Sequence, residues 1–160
     1  MKENIQIRNM LFETVEDLSN EQLNKKVSED QWSIMQVLDH LYLMEAGLVK
    51  IMTKTFKTGP SETISDKPIH LTLDRTLKFN APNYFVPTNQ FVTIEEMKQK
   101  LTESRKALHT FVEETKDSNL EDKGFPHPAF GQTNLKQWIP FIGLHEKRHI
   151  EQINEIKNQL

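Results

Sequence analysis

The chain has no cysteine. That absence removes disulfides, thiolate nucleophiles and cysteine-ligated zinc, and leaves any metal chemistry to histidine and carboxylate side chains. Long apolar runs are missing as well: none approaches the roughly 18 residues that mark a membrane-spanning helix. Met1 to Leu18 also lacks an apolar stretch followed by a small-residue cleavage site. No membrane partner is expected, and the cytoplasm is the expected compartment. Nor is there an excess of positive charge. Interspersed through 160 residues, 20 basic side chains face 23 acidic ones for a net charge of −3, so no basic field follows a nucleic-acid backbone. Nucleic acid is not an expected partner. No internal repeat or charged linker divides the sequence, and its length suits one domain, 1–160, with a substantial core.

What is present is helical periodicity. Apolar residues recur at the 3.6-residue spacing of a half-buried helix in four segments. The first runs from about Glu3 to Leu18, with Ile7, Met10, Leu11, Val15 and Leu18 inward. The second opens where Asp30 or Ser33 can cap, carries Ile34, Val37, Leu41, Met44, Leu48 and Ile51, and runs to about Lys57, before Gly59-Pro60 stops it. The third follows Thr93, whose third successor Glu96 completes a capping box, and reaches about Lys116. The fourth starts near Thr133 or Asn134 and continues to Leu160. Pro140 lies inside it, so a kink or a short preceding turn is expected there, because the residue has no amide hydrogen to bond back.

Four amphipathic helices with little strand signal read as an all-α four-helix bundle. Between Thr58 and Val92 lie about 35 residues with four prolines and no sustained helical period, a length that is unusual in a compact domain and often functional. Such a loop is long enough to return along the second helix and make helices 2 and 3 parallel. Phe79, Tyr84, Phe85 and Phe91 are expected to pin it by plain packing.

The most specific chemistry sits in the fourth helix. His145 and His149, four residues apart, project from one face and can share a divalent ion. His145 to His149 also spells the H-E-x-x-H of zinc peptidases, in which the glutamate is a general base. Those enzymes take a third ligand after a downstream turn, whereas Ile150 to Leu160 continues the helical pattern. A third protein ligand is therefore expected upstream, and His40, at the boundary of the second helix's apolar stripe, is the candidate. Any one of the three histidines alone reads as a boundary residue satisfied by hydrogen bonds. Three together on facing helices would strand several imidazole nitrogens at about 1–3 kcal/mol each, a cost that a shared ion removes. Glu146 is expected to face solvent and pair locally rather than act as a base, since one residue along a helix turns it about 100° from His145. Asp39 and Glu45 are expected as exposed helix-face charges. His127, between Pro126 and Pro128, is assigned to structure or solvent, and His70 and His109 carry no supporting pattern.

Several blocks together resemble one family. Trp32-Ser33 with Val37-Leu38 and His40-Leu41, Pro87 followed by Ile94-Glu95-Glu96-Met97 and Ser104-Arg105, and His127-Pro128-Ala129-Phe130-Gly131 leading to Trp138, His145, His149 and Gln152 resemble the DinB-like (YfiT-like) superfamily of metal-binding four-helix bundles. The resemblance implies an up-down-down-up bundle with its long crossover between helices 2 and 3. It also implies metal ligation by His40, His145 and His149, while members of the superfamily look like metal-dependent hydrolases in some cases and low-molecular-weight thiol S-transferases in others, and many have no known activity. It implies no reaction more specific than these.

Three imidazoles leave an ion with an open position that can hold a water, a carbonyl or a thiolate. Zinc is the first expectation, with nickel or iron as alternatives. The partner expected is a small molecule, a low-molecular-weight thiol among the candidates, and a homodimer is compatible with the sequence. The rival reading is a non-catalytic bundle that binds a metal or small ligand.

Overall fold

The computed structural model describes residues 1–76 and 82–160. Four long helices carry the fold: α1 (Lys2–Val15), α3 (Ile34–Thr58), α4 (Ile94–Thr115) and α5 (Leu135–Lys157). A short α2 (Asn20–Asn24) follows α1, and a hairpin of β1 (Gly124–His127) and β2 (Gly131–Asn134) precedes α5. Among the described residues no helix is long and apolar enough to cross a membrane.

Side-chain caps set where the helices start. Ser33 Oγ accepts from the Gln36 amide while Gln36 Oε1 accepts from the Ser33 amide, and Thr93 and Glu96 repeat the arrangement at α4. Asn134 caps α5 by accepting from the Gln137 amide. The fourth helix thus begins before Pro140, which lies inside a continuous helix. The same reciprocal capping, by Ser19 and Gln22, starts α2, a helix of five residues that is too short to show an apolar period. The first helix accordingly ends at Val15 rather than Leu18.

Ion pairs and hydrogen bonds give the helix directions. Asp39 meets Lys100 and Glu45 meets Arg105, so α3 and α4 run parallel. Asn4 donates to the Ile139 carbonyl, Arg8 pairs with Glu146, and Lys157 reaches Asp17, just beyond α1, so α1 and α5 also run parallel. The core has two parts. One gathers Ile7, Leu11, Val15, Ile34, Leu38, Leu101 and Ile153 around the start of α3, and the other gathers Met52, Leu108, Phe111, Leu135 and Trp138 towards its end. Met10 and Ile51, expected inward, are largely exposed at 46% and 38%, and Met52 fills the core position instead.

The crossover from α3 to α4 holds two 3-10 turns, Ile69–Leu73 and Asn83–Phe85. Of the aromatics expected to pin it, Phe85 is buried, while Tyr84 and Phe91 are 70% and 62% exposed. Phe79 lies outside the described residues. Phe85 packs where α3 has no side chain: a Cβ at Gly47 would fall 2.5 Å from the ring.

Candidate metal centre

His40 lies two turns into α3, next to the returning crossover. The Gln36 side chain donates to Thr88 O and Asn89 Oδ1 and so fixes that strand of chain beside α3. One turn on, His40 Nδ1 lies 2.8 Å from the Phe85 carbonyl. A carbonyl only accepts, so Nδ1 carries the proton and the Nε2 lone pair is left free. His149 is set in the same way: its Nδ1 is 2.7 Å from Gln152 Oε1, one turn along α5. His145 and His149 bring their Nε2 atoms to 3.2 Å.

The structure brings all three candidate histidines together. Their ring centroids are 4.5 to 5.3 Å apart, and one ligand atom from each lies within 4.8 Å of the others. Nitrogens at about 2.0–2.1 Å from a tetrahedral ion are about 3.3 Å apart. The α5 pair already has that spacing, and His40 is at most about 1.5 Å further out than such geometry requires. Two of the three rings have their outer nitrogen tied to an acceptor, the arrangement that orients imidazole ligands in metal proteins.

The electrostatics agree with neutral, ligating imidazoles. Burial holds His145 well below its usual range, with His149 and His40 adding to the effect. Burial, and then His40, brings His149 down to about 3, and burial lowers His40 despite its bond to Phe85. These rings stay unprotonated near neutral pH, the state in which imidazole binds metal. The donor set therefore fits a divalent ion. Among the described residues no fourth His, Asp or Glu joins the group.

Residues 4–153, nearly the whole chain, match the DinB superfamily. The chain belongs to that superfamily. The chain is also similar to the uncharacterized protein YuaE of Bacillus subtilis (strain 168), 38% identical over 143 residues that cover 89% of this chain and 88% of YuaE. The crystal structure of TT2238, a four-helix bundle protein, matches with a TM-score of 0.61 over 96% of this chain and 94% of that one. Its sequence identity is 18%, so the likeness is one of fold.

Behind the histidines this DinB bundle buries an ionic cluster to which every long helix contributes. Arg8 of α1 pairs with Glu146 of α5 at 2.5 Å and with Glu45 of α3 at 2.8 Å. Arg105 of α4 pairs with the same two carboxylates, each at 2.5 Å, and Ser104 Oγ donates to Glu45 at 2.6 Å. Arg105 also donates to the Asn4 carbonyl. Two guanidinium groups thus balance two carboxylates, and the pairing is close to bidentate on both sides. The expectation that Glu146 and Glu45 face solvent is overturned: each is 2% exposed. The reason is Arg8, which occupies an inward position of α1 between Ile7 and Leu11 and needs buried counter-charge. Asp39 too is buried, 7% exposed, and held by Lys100. A signal for this existed in the sequence, since Arg8 falls on the face of α1 that Ile7, Leu11 and Val15 share.

Both oxygens of Glu146 are engaged by arginines, and in this the H-E-x-x-H of this DinB chain differs from that of a zinc peptidase, whose glutamate is a general base. His70 and His109 are both exposed and stand apart from the group. His127 lies in the hairpin beside Phe141, which is itself one turn from His145.

Proposed function

We propose that this DinB-superfamily bundle binds a divalent metal ion, zinc first among the candidates with nickel and iron as alternatives, through Nε2 of His40, His145 and His149. With a coordination position open, it serves as a metal-dependent hydrolase or low-molecular-weight thiol S-transferase on a small substrate. The observation that carries this reading is the convergence of one ring nitrogen from each of three histidines, two of which have Nδ1 already committed to Phe85 O and Gln152 Oε1. An ion held this way, when bound, acidifies a water or thiol and polarises a carbonyl. The chain's own residues do the rest. Phe85 and Gln152 orient the rings, and the Trp32 ring, 5.1 Å from that of His40, shields one side. The Arg8–Glu45–Arg105–Glu146 cluster holds α3 and α5 at the spacing that the ligands need. A purely structural zinc site would close with four protein ligands, so three supports the catalytic reading over a structural staple.

The test starts with untagged protein. Wild type should carry near-stoichiometric zinc, nickel or iron, and His145→Ala and His149→Ala should each lose it. Wild type that stays metal-free after incubation with all three ions would overturn the proposal. A thiol-conjugation screen run beside an ester-hydrolysis panel on the loaded protein then separates the two reaction classes.

A further inference from the structure

The β1–β2 hairpin turns through Pro128-Ala129-Phe130 to Gly131, whose φ of +71° is a backbone state that glycine adopts without strain. His127 closes that turn from inside. Its Nδ1 accepts from the amides of Ala129 at 3.0 Å and Phe130 at 3.2 Å. An imidazole nitrogen that accepts two N–H groups bears no proton, so the single proton of the neutral ring is on Nε2. The tautomer is thereby opposite to that of His40. Among the described residues Nε2–H makes no hydrogen bond, since the polar contacts of this ring are those two amides.

The ring is clamped as well as capped. It stacks on Phe130 at 4.6 Å and 21°, meets Phe141 edge-on at 4.7 Å, and lies 5.4 Å from Trp138. Phe125 stacks on the outer side of Trp138 at 4.3 Å. Phe141 contacts His127 and, at 5.9 Å, His145. Trp138, Phe141, His145 and His149 follow one face of α5 at steps of three and four residues. His127 is thus seated about one helical turn, some 5.4 Å, along that face from the first metal ligand. A turn cap alone needs only an acceptor, which Asn or Asp supplies more commonly. It does not need three aromatic rings around it, or a donor left facing away from the turn.

Resting on the metal reading above, we propose that His127 is a positioning and specificity residue whose Nε2–H donates a hydrogen bond to an anionic atom of a ligand held at the histidine centre. Phe130, half-buried and stacked on the imidazole, takes the apolar remainder of that ligand, while the buried Trp138 and Phe141 hold the ring in place. The chemistry selects a small anion, such as a thiolate or a carboxylate, that carries an apolar group. The ring donates and does not titrate in this role, because burial keeps His127 neutral down to about pH 4.

Two substitutions separate the cap from the donor. In His127→Asn the amide oxygen can still accept from Ala129 and Phe130, but nothing reaches the position of Nε2. In His127→Gln the longer amide places an N–H near it. Full-length protein loaded with cobalt(II) is titrated with azide and with phenylacetate, and the visible spectrum of the ion is read. Cobalt uptake by wild type comes first: without it the metal reading fails, and this proposal with it. Given uptake, His127→Asn should keep its cobalt and bind azide about tenfold more weakly, one charge-assisted hydrogen bond being of that order. His127→Gln should recover most of the loss. Equal affinity in wild type and His127→Asn would leave His127 a turn cap alone and overturn the proposal without touching the metal reading. Should His127→Asn not fold, ring-nitrogen NMR of zinc-loaded wild type decides. The His127 Nε2–H resonance should move downfield when azide is added, and an unmoved resonance would overturn the proposal.

Discussion

At the scale of single residues, the site is a set of tautomers fixed by neighbours. Phe85 O and Gln152 Oε1 leave His40 and His149 with their lone pairs inward. Burial then depresses all three clustered histidines, His149 to about 3, against an unfolded value near 6.5. Below about pH 6.5 the unfolded chain takes up protons that the folded one refuses, so stability of the metal-free protein is full above that pH. It should fall steadily as pH drops from about 6.5 towards 3. Urea melts of chelated protein at pH 7.5 and 5 measure this, and equal midpoints would contradict the depressed values. The clustering of His145 and His149 was legible because their spacing is local. Glu146 was misread for the opposite reason: its surroundings are Arg8 and Arg105, both distant in sequence, and helical angle alone does not reveal a buried counter-charge. Glu146→Ala should cost about 3–5 kcal/mol of stability by stranding two guanidinium groups. Denaturant unfolding checks that, and a loss under 1 kcal/mol would place the carboxylate in solvent.

At the scale of elements, the long helices were readable because their caps and apolar periods are local, as with Ser33 and Gln36 at α3 or Thr93 and Glu96 at α4. The hairpin was not. Gly124–His127 and Gly131–Asn134 are four residues each, without alternation, and they exist because Phe125 stacks on Trp138 and the Leu135 amide reaches the Lys123 carbonyl. Those are tertiary facts that no window of sequence shows. The crossover also owes its course to α3, through Gly47. Replacing it with alanine would set a methyl 2.5 Å from the Phe85 ring and push away the segment whose carbonyl orients His40. Gly47→Ala should therefore weaken metal binding about 10- to 100-fold, the usual cost of losing a partner that orients a ligand. Competition against a chromophoric chelator measures it, and unchanged affinity would separate Phe85 from the centre. The same substitution should change the helix content little, since alanine favours helix more than glycine does.

At the scale of the whole molecule, the histidines connect α3 with α5 while the ionic cluster connects all four long helices. A bound ion and the cluster therefore reinforce the same α3–α5 contact from two sides. Metal that binds the fold and not the unfolded chain adds about 2.7 kcal/mol at a hundredfold excess over its dissociation constant. Chelation should lower the melting temperature of wild type, and His40→Ala should largely erase that response while His70→Ala leaves it intact. Equal metal affinity in wild type and His40→Ala would remove α3 from the centre. The bundle itself was evident from four periodic segments, and the superfamily match and the TT2238 fold agree with it.

The separation of His40 from His145 and His149 along the chain has a kinetic side. More than a hundred residues must be looped before the third nitrogen meets the other two, and the chain entropy of that closure is met by the packing of the helices, not by the ion. An unfolded chain offers at best the local His145–His149 pair, which α5 displays only once it is helical. Loading should thus follow folding rather than guide it. Refolding should proceed at the same rate with zinc present or withheld, while release of the ion on dilution into denaturant should track the unfolding of α5 from α3.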